Sequence, residues 1–232
     1  MAPLPLILLP GLLNSARLWA HQVKALGEDR EVAVCRTDSG NSLGGLAEAV
    51  LAMAPAGHFA LAGLSMGGYV ALEVWRRAPE RVLRLALVDT TARPDAPEQS
   101  ARRKRLMAQA EAEGIAPIVP QQIPGYLAPD HVDDERLTGI VAEMAQDVGV
   151  EGFLAQQQAI LTRPDSRPDL PNIACPTLVI VGADDQLTPP ALAAEIAGGI
   201  AGATLVVIPD AGHLSPLENP EAVTAAMREW LE

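Results

Sequence analysis

The fold of this chain is predicted from one stretch, Leu61-Ala62-Gly63-Leu64-Ser65-Met66-Gly67-Gly68. Residues 59–62 are apolar like a buried strand, and residues 69–77 have helical length and a helical apolar stripe. A strand, a G-x-S-x-G pattern and a helix predict a sharp turn that gives Ser65 a positive φ and lifts its Oγ above the sheet edge. Gly63 and Gly67 avoid a collision of side chains across that turn. Ser65 is therefore the candidate nucleophile, and the alternative is a glycine-rich turn whose serine caps the helix.

Length and composition predict a single globular domain. The chain has 232 residues, of which 49% are apolar and 20% charged, and this is too short for two ordinary domains and a linker. The net charge of −12 argues against nucleic acid or an anionic membrane as a partner. No stretch reaches membrane-spanning length, and residues 1–10 are predicted to be a first strand because they lack the basic residues of a signal peptide. We expect a cytoplasmic monomer or homodimer whose partner is a small molecule.

The two cysteines, Cys35 and Cys175, match no metal-binding or redox spacing. We interpret them as core thiols in a reducing compartment, and a disulfide between them is the alternative. No cluster of histidines and carboxylates has the spacing of metal ligands, so the sequence predicts neither a metal nor another cofactor.

Apolar strands alternate with helices along most of the chain. This alternation predicts an α/β fold with a parallel sheet covered on both faces. The predicted strands are 4–9, 31–36, 59–63, 82–88, 177–181 and 204–208, and the helices outside the segment described next are 16–26, 46–53, 69–77, 190–196 and 221–231.

The alternation is interrupted between Asp89 and Pro176, where no convincing strand occurs. A structureless loop of that length is improbable, so this segment is predicted to be an inserted helical layer. Helices are predicted at 99–113, 133–145 and 150–161, with Pro117, Pro120, Pro124 and Pro129 in the loops between them. The chain therefore divides into a core, 1–89 and 172–232, and a helical cap, 90–171, over the edge that carries Ser65.

A serine nucleophile requires a base that accepts its proton during attack. His213 follows the last predicted strand, at the end of the sheet where Ser65 also lies, and is the candidate base. His21, His58 and His131 are interpreted as surface or structurally satisfied residues.

The base in turn requires a carboxylate that orients its ring and stabilises its cationic form. Asp185 follows the strand at 177–181 with G-x-x-D spacing and completes the chain order Ser, Asp, His. Its neighbour Asp184 is interpreted as a loop or capping residue. Asp89, at the end of the strand at 82–88, remains a third candidate acid.

The negatively charged oxygen formed on the substrate requires two N–H donors. One expected donor is the backbone N–H of Met66, directly after the nucleophile. The other is the N–H of Leu12 in the loop after the first strand, where Gly11 allows a close approach of the backbone.

These motifs together resemble those of the serine-dependent α/β-hydrolase superfamily, and the resemblance extends over nearly the whole chain. It implies that Ser65 is the nucleophile, Asp185 the acid and His213 the base, with Leu12 and Met66 as oxyanion donors. Two features depart from the superfamily's pattern. Pro10-Gly11 replaces the familiar His-Gly of the oxyanion loop, and the chain begins at the superfamily's third strand. We therefore expect about six strands, all parallel, without the usual N-terminal antiparallel pair.

A serine at the turn suits acyl transfer rather than the dehalogenase and epoxide hydrolase reactions, in which the resembling proteins use an aspartate. The predicted function is a carboxylesterase acting on a small to medium, largely apolar ester. Thioesters, lactones and the C–C bond of a β-diketone are alternative substrates of the same fold. A ligand-binding or receptor protein with little turnover is the alternative from another class.

The acyl pocket is predicted from apolar residues near the catalytic edge and on the helices of the cap. The candidates are Trp19, Tyr126, Leu137, Ile140 and Met144, together with Leu12 and Met66. The basic run Arg102-Arg103-Lys104-Arg105 is interpreted as a solvated helix face, and attraction of an anionic substrate is the alternative.

Overall fold

A computed structural model describes residues 3–232 and contains one sheet of six parallel strands. The strand order is β2-β1-β3-β4-β5-β6, and every pairing is parallel, as the sequence predicts. The strands are β1 Leu6–Leu9, β2 Val32–Val34, β3 Phe59–Leu64, β4 Val82–Val88, β5 Thr177–Gly182 and β6 Thr204–Ile208.

Alternate residues of each strand face opposite sides of the sheet and build two hydrophobic layers. Leu6 and Leu8 face the layer that contains α1 and α9, whereas Ile7 and Leu9 face the layer that contains α2, α3 and α7. The helices are α1 Ala20–Leu26, α2 Leu43–Met53, α3 Met66–Arg77, α4 Pro97–Glu113, α5 Val119–Tyr126, α6 Glu135–Leu161, α7 Pro190–Gly199, α8 Ser215–Glu218 and α9 Pro220–Leu231. Each of them, within residues 3–232, is too short or too polar to cross a lipid bilayer.

Some helix and strand boundaries differ from the sequence prediction because of local hydrogen bonds. Helix α2 begins at Leu43, not at 46, because the Ser42 side chain accepts a hydrogen bond from the N–H of Gly45 and caps the helix. The predicted helix at 16–26 begins instead with the 3₁₀ turn Ala16–Trp19. The first strand is shorter than predicted, and residues 1–2 of the predicted N-terminal segment lie outside the described residues.

The segment between β4 and β5 is helical, and it contains a helix where a loop was predicted. Helix α5 forms despite its prolines, and Pro120 lies in its first turn, where a missing N–H leaves no hydrogen bond unmade. The helices predicted at 133–145 and 150–161 both form and follow one another within α6, where Gly149, with φ of 67° and ψ of −176°, interrupts the helical backbone between them. The division into a core and a separate cap domain stays a prediction. Helices α5 and α6 contact the loop after β1, and these contacts alone do not define an independent domain.

These contacts place the inserted helices at the carboxyl edge of the sheet. The hydroxyl of Tyr126 donates a hydrogen bond of 2.8 Å to the carbonyl of Leu12, and the side-chain oxygen of Gln156 accepts one of 3.0 Å from the N–H of Leu13. Both leucines directly follow the Pro10-Gly11 loop after β1, at the edge where β3 ends in Ser65. The inserted helices therefore lie over Ser65.

The two cysteines carry free thiols. Cys35 is buried in the hydrophobic layer on the α2 side of the sheet. Cys175 is only half-buried, so the interpretation of both residues as core thiols is correct for Cys35 alone.

The turn between β3 and α3 is strained and tightly packed. Ser65 has φ of 53° and ψ of −116°, outside the regions that most residues adopt. A Cβ on Gly63 would lie 2.2 Å from the carbonyl oxygen of Gly67, and a Cβ on Gly67 would lie 2.3 Å from that of Leu9. The backbone leaves no room for any side chain at these positions, which explains the two glycines of the pattern.

We therefore expect Gly67→Ala to lower the free energy of unfolding by roughly 1–3 kcal/mol, the usual cost of overpacking. The matched control is Gly139→Ala, because Gly139 is also helical and a Cβ there meets nothing within 4 Å. This control should leave stability unchanged or raise it by up to about 1 kcal/mol, because alanine favours helix. Urea denaturation of both variants measures the difference, and equal stability of the two would contradict the packing argument.

Candidate active site

Ser65, His213 and Asp185 form one chain of hydrogen bonds at the carboxyl edge of the sheet. The Nε2 atom of His213 lies 2.8 Å from Ser65 Oγ, and its Nδ1 atom lies 2.8 Å from Asp185 Oδ2. Ser65 follows β3, Asp185 follows β5 and His213 follows β6. The carboxyl ends of parallel strands meet at one edge, which is why residues so distant in sequence converge.

The Asp185 carboxylate is buried but fully supplied with hydrogen bonds. It is 2% exposed and accepts hydrogen bonds from the N–H groups of Leu187 and Thr188, at 2.8 and 2.9 Å, and from the Thr188 hydroxyl at 2.6 Å. Burial alone raises the pKa of Asp185, but the charge of His213 and these hydrogen bonds outweigh it and bring the pKa below its usual value. The carboxylate is therefore ionised at neutral pH.

The buried His213 ring is surrounded by negative charge. Burial lowers the pKa of His213, but the carboxylates of Asp185, Asp89 and Glu218 outweigh burial and raise it above its usual value of 6.5. The ring also stacks on Tyr126, with 6.0 Å between the ring centres. The histidine therefore accepts a proton from a nearby hydroxyl more readily than a free imidazole does.

The other two candidate acids have different surroundings. Asp184 is exposed to solvent. Asp89 is fully buried and accepts hydrogen bonds from the N–H of Gly182 at 2.8 Å and from the hydroxyl of Ser215 at 2.5 Å. Burial and the nearby charge of Asp185 raise the pKa of Asp89 well above its usual range. Asp89 thus joins the end of β5 to the segment after His213. The carboxyl group that is hydrogen-bonded to the His213 ring belongs to Asp185.

The backbone N–H groups of Leu12 and Met66 make no hydrogen bond within residues 3–232. Met66 is the first residue of α3, where the helix leaves its N–H groups free, and Leu12 borders the cavity that contains Ser65. The oxygen of the Gln156 side chain holds the N–H of Leu13, and its nitrogen lies 3.4 Å from the carbonyl of Gly11. Gln156, which the sequence analysis missed, therefore holds the loop of Leu12 from both sides.

Glu218 is a second residue that the sequence analysis missed. Its side chain is fully buried and accepts hydrogen bonds from the N–H groups of Gly212 at 2.9 Å and Leu214 at 3.2 Å, on either side of His213. It also accepts one from the N–H of Ala128 at 2.7 Å and contacts His131 Nδ1 at 2.9 Å. No sequence pattern marks Glu218, because most of its partners are backbone groups that every residue type except proline supplies.

The remaining histidines lie outside this chain of hydrogen bonds. His21 contacts the Thr224 hydroxyl at 3.0 Å, and His58 is exposed at the opposite end of β3. Nowhere in the described part of the chain do three or more His, Cys, Asp or Glu residues form a group that could hold a metal ion.

A cavity of about 340 Å³ opens above Ser65 and His213. Of the predicted pocket residues, Tyr126 and Leu12 line it. The prediction is wrong for five others, because their side chains pack into the hydrophobic layers instead. These are Trp19, Leu137, Met144 and Met66, which are fully buried there, and Ile140, which is half-buried against the same core.

Helix α6 reaches the cavity with its second half, through Gln157 and Ile160, and not with the face that was predicted from its first half. The apolar stripe at Leu137 correctly indicated a buried face, but such a stripe does not distinguish a core from a ligand pocket. Two residues of the basic run, Arg102 and Arg103, also border the cavity, whereas Lys104 and Arg105 are exposed on α4.

The fold and the site define an α/β hydrolase. The sequence profile of the alpha/beta hydrolase family matches residues 6–226, and the chain belongs to this family.

Several known proteins are similar to this chain. A putative non-heme bromoperoxidase of Mycobacterium tuberculosis is 34% identical over 72% of this chain, which corresponds to 66% of that relative's length. A 3-oxoadipate enol-lactonase of Acinetobacter baylyi is 29% identical over 71% of the chain and 60% of its own length. The alignments with these two relatives thus cover less than two thirds of their lengths.

Solved structures match over more of the chain. A thermophilic esterase from Thermogutta terrifontis superimposes with a TM-score of 0.91 at 34% identity, over 98% of this chain and 89% of the esterase. An enol-lactonase from Burkholderia xenovorans superimposes with a TM-score of 0.88 at 27% identity, over 99% and 91% of the two chains.

We expect Glu218→Ala to lower the free energy of unfolding by roughly 2–4 kcal/mol, since each buried donor left without an acceptor costs about 1–3 kcal/mol. The matched control is Glu221→Ala, three residues further on, whose carboxylate is 80% exposed. The control should change stability by no more than about 1 kcal/mol, the size of a helix-dipole effect. Chemical denaturation compares the two variants, and an equal loss in both would rule out the proposed support of the His213 loop.

Proposed function

We propose that this protein is a serine hydrolase that cleaves carboxylic esters through an acyl-enzyme intermediate on Ser65. The observation that carries the proposal is the hydrogen-bonded chain from Ser65 Oγ through His213 to Asp185, at the base of a cavity. A buried, ionised carboxylate behind a histidine that contacts a strained serine is the arrangement that activates a hydroxyl group for attack on a carbonyl.

In the first half of the reaction, His213 Nε2 takes the proton of Ser65 Oγ as the oxygen attacks the ester carbonyl. The carbonyl oxygen becomes negatively charged and accepts hydrogen bonds from the N–H groups of Leu12 and Met66. When the C–O bond to the alcohol breaks, His213 returns the proton to the leaving alkoxide. Water then attacks the acyl-enzyme in the same way and releases the acid and free Ser65.

The walls of the cavity support a small to medium, largely apolar acyl group. Their apolar part comes from loops at the sheet edge and from the inserted helices, and includes Leu12, Leu106, Ile160, Leu187 and Leu192. Because α4 and α6 contribute Leu106 and Ile160, the segment 90–171 acts in this proposal as a cap that selects substrates. The chemistry needs no cofactor, and the cytoplasm is the proposed location.

A lactone is the second candidate substrate. The Acinetobacter relative and the Burkholderia structure are both named enol-lactonases. A lactone is an internal ester, so the same steps open its ring and leave the alcohol attached to the acid. Comparison of kcat/KM for δ-valerolactone and ethyl valerate separates the two candidates.

Ser65→Ala should abolish ester hydrolysis, with kcat reduced by about 10⁴–10⁶. The fold should persist, because the change removes one oxygen atom and adds no volume. Hydrolysis of p-nitrophenyl butyrate and labelling by a fluorophosphonate measure the loss, with Ser39→Ala as a control because Ser39 is exposed and outside the cavity. Retention of activity within tenfold of the unmodified protein would exclude the serine mechanism, whereas slow turnover of every activated ester by the unmodified protein would favour a binding protein.

The raised pKa of His213 sets the pH dependence of activity. Below its pKa the ring is protonated and cannot accept the proton of Ser65, so kcat/KM should fall on an acid limb with an apparent pKa above 6.5. Asp185→Asn removes the nearest negative charge, lowers the pKa of His213 and should move this limb to lower pH while reducing kcat. Asp184→Asn, which changes the exposed neighbour, should leave the limb in place. An acid limb shared by both variants would contradict the assignment of Asp185.

A further inference from the structure

The cavity above Ser65 is lined by four guanidinium groups and by no carboxylate, although the chain has a net charge of −12. The four are Arg93, Arg102, Arg103 and Arg163. The cavity is therefore basic on an acidic protein, and this contrast requires an explanation that the ester chemistry alone does not supply.

Two carboxylates neutralise only part of this positive charge. Arg103 and Arg163 share the buried Asp95, each at 2.7 Å, and Arg93 pairs with Glu195 at 2.8 Å. Arg102 makes no salt bridge within residues 3–232. The cavity wall thus contains one guanidinium without an ion pair and a second that shares its carboxylate.

Three buried amide groups in the same wall also lack acceptors. Asn14, Gln122 and Gln157 are 4%, 5% and 0% exposed, and the side-chain nitrogen of each makes no hydrogen bond within the described residues. The orientation of Gln157 is determined by its oxygen, which accepts a hydrogen bond of 3.0 Å from Arg103. Exchanging the oxygen and nitrogen of this amide would place its NH₂ group against the Arg103 guanidinium, which is also a donor. The Gln157 nitrogen therefore stays without an acceptor.

Buried donors without acceptors are costly, and proteins keep few of them. Three such donors, in a wall where two carboxylates pair with three of the four guanidinium groups and leave Arg102 to solvent, call for a ligand that is rich in acceptors and negatively charged. A carboxylate meets both needs, because its two oxygens accept about four hydrogen bonds and carry one negative charge. A neutral carbonyl would satisfy the amides but not the charge.

We infer that the substrates of this site are esters that carry a free carboxylate group a few bonds from the ester. The carboxylate binds Arg102, and the side chains of Gln122 and Gln157, whose amide nitrogens are closed to solvent in this structure, shift to donate hydrogen bonds to its oxygens. Leu106 and Ile160 contact the connecting chain. This inference rests on the proposed ester hydrolysis, and it names the class of substrate that the same cavity accepts.

The test compares charged and neutral esters of equal chain length by proton release at constant pH. Monomethyl adipate is paired with methyl hexanoate, so that the carboxylate is on the acyl side. Acetoxypentanoate, with its carboxylate on the alcohol side, is paired with pentyl acetate. We expect kcat/KM for the charged member of at least one pair to exceed that of its neutral partner by about tenfold or more, the size of a buried hydrogen bond to a charged group.

Two variants test whether residues of the cavity wall cause this preference for charged esters. Arg102→Gln and Gln122→Leu should each reduce the ratio of charged to neutral kcat/KM by about fivefold to tenfold. The matched controls are Arg105→Gln on the same helix and Gln121→Leu, the exposed neighbour of Gln122, and both should leave the ratio unchanged. If Gln122→Leu does not fold, Arg102→Gln carries the test, because Arg102 is exposed and its replacement should not affect folding. A ratio that neither cavity variant changes would overturn the inference.

Calorimetric binding to the Ser65→Ala variant separates this inference from the proposed function. Monomethyl adipate should bind more tightly than methyl hexanoate, and adding Arg102→Gln should remove the difference. If the unmodified protein hydrolyses neutral and charged esters with equal kcat/KM, the inference fails and the proposed function stands. If no ester is hydrolysed but the difference in binding persists, the proposed function fails and the carboxylate site stands. The absence of both hydrolysis and a difference in binding would overturn both.

Discussion

The arrangement of this site depends on the burial of three carboxylates around one histidine. Asp89, Asp185 and Glu218 all have side chains out of contact with water, and a buried carboxylate is tolerated only when its oxygens are hydrogen-bonded. Asp185 takes its donors from its own loop after β5, whereas Asp89 and Glu218 both accept hydrogen bonds from the segment after β6, and each also reaches a second part of the chain. The need to satisfy these charges brings the loops after β4, β5 and β6 into contact, and it places the His213 ring among them.

Each of the three carboxylates fixes a different part of the His213 segment. Asp185 contacts the ring itself, Glu218 accepts hydrogen bonds from the backbone on either side of the ring, and Asp89 holds Ser215 just beyond it. All three also act on the ring electrostatically and favour its protonated form. Structural support of the His213 ring and electrostatic stabilisation of its protonated form thus come from the same groups.

The parts of this arrangement that depend on local sequence could be predicted, whereas those that depend on contacts between distant residues could not. Ser65, Asp185 and His213 each directly follow an apolar strand, so local pattern and the geometry of parallel sheets were enough to bring them to one edge. Glu218 and Gln156 could not be predicted, because they act mainly on backbone groups far away in sequence. The prediction that residues on the first half of α6 line the pocket was wrong for a related reason. Helical periodicity indicates which face is buried, but the partner of that face is decided by tertiary packing.

Helix α6 shows how one element can both support the site and line its cavity. The kink at Gly149 separates a first half that packs Leu137 and Met144 into the core from a second half that reaches the site. In that second half, Gln156 holds the loop of Leu12, the proposed oxyanion donor, and the next residue, Gln157, borders the cavity. Successive helical residues point about 100° apart, so one turn of α6 contacts the loop and the cavity at once. A ligand that contacts Gln157 therefore acts on the same helical turn that holds the loop of Leu12, so the proposed substrate selection and the proposed oxyanion hole depend on one structural element.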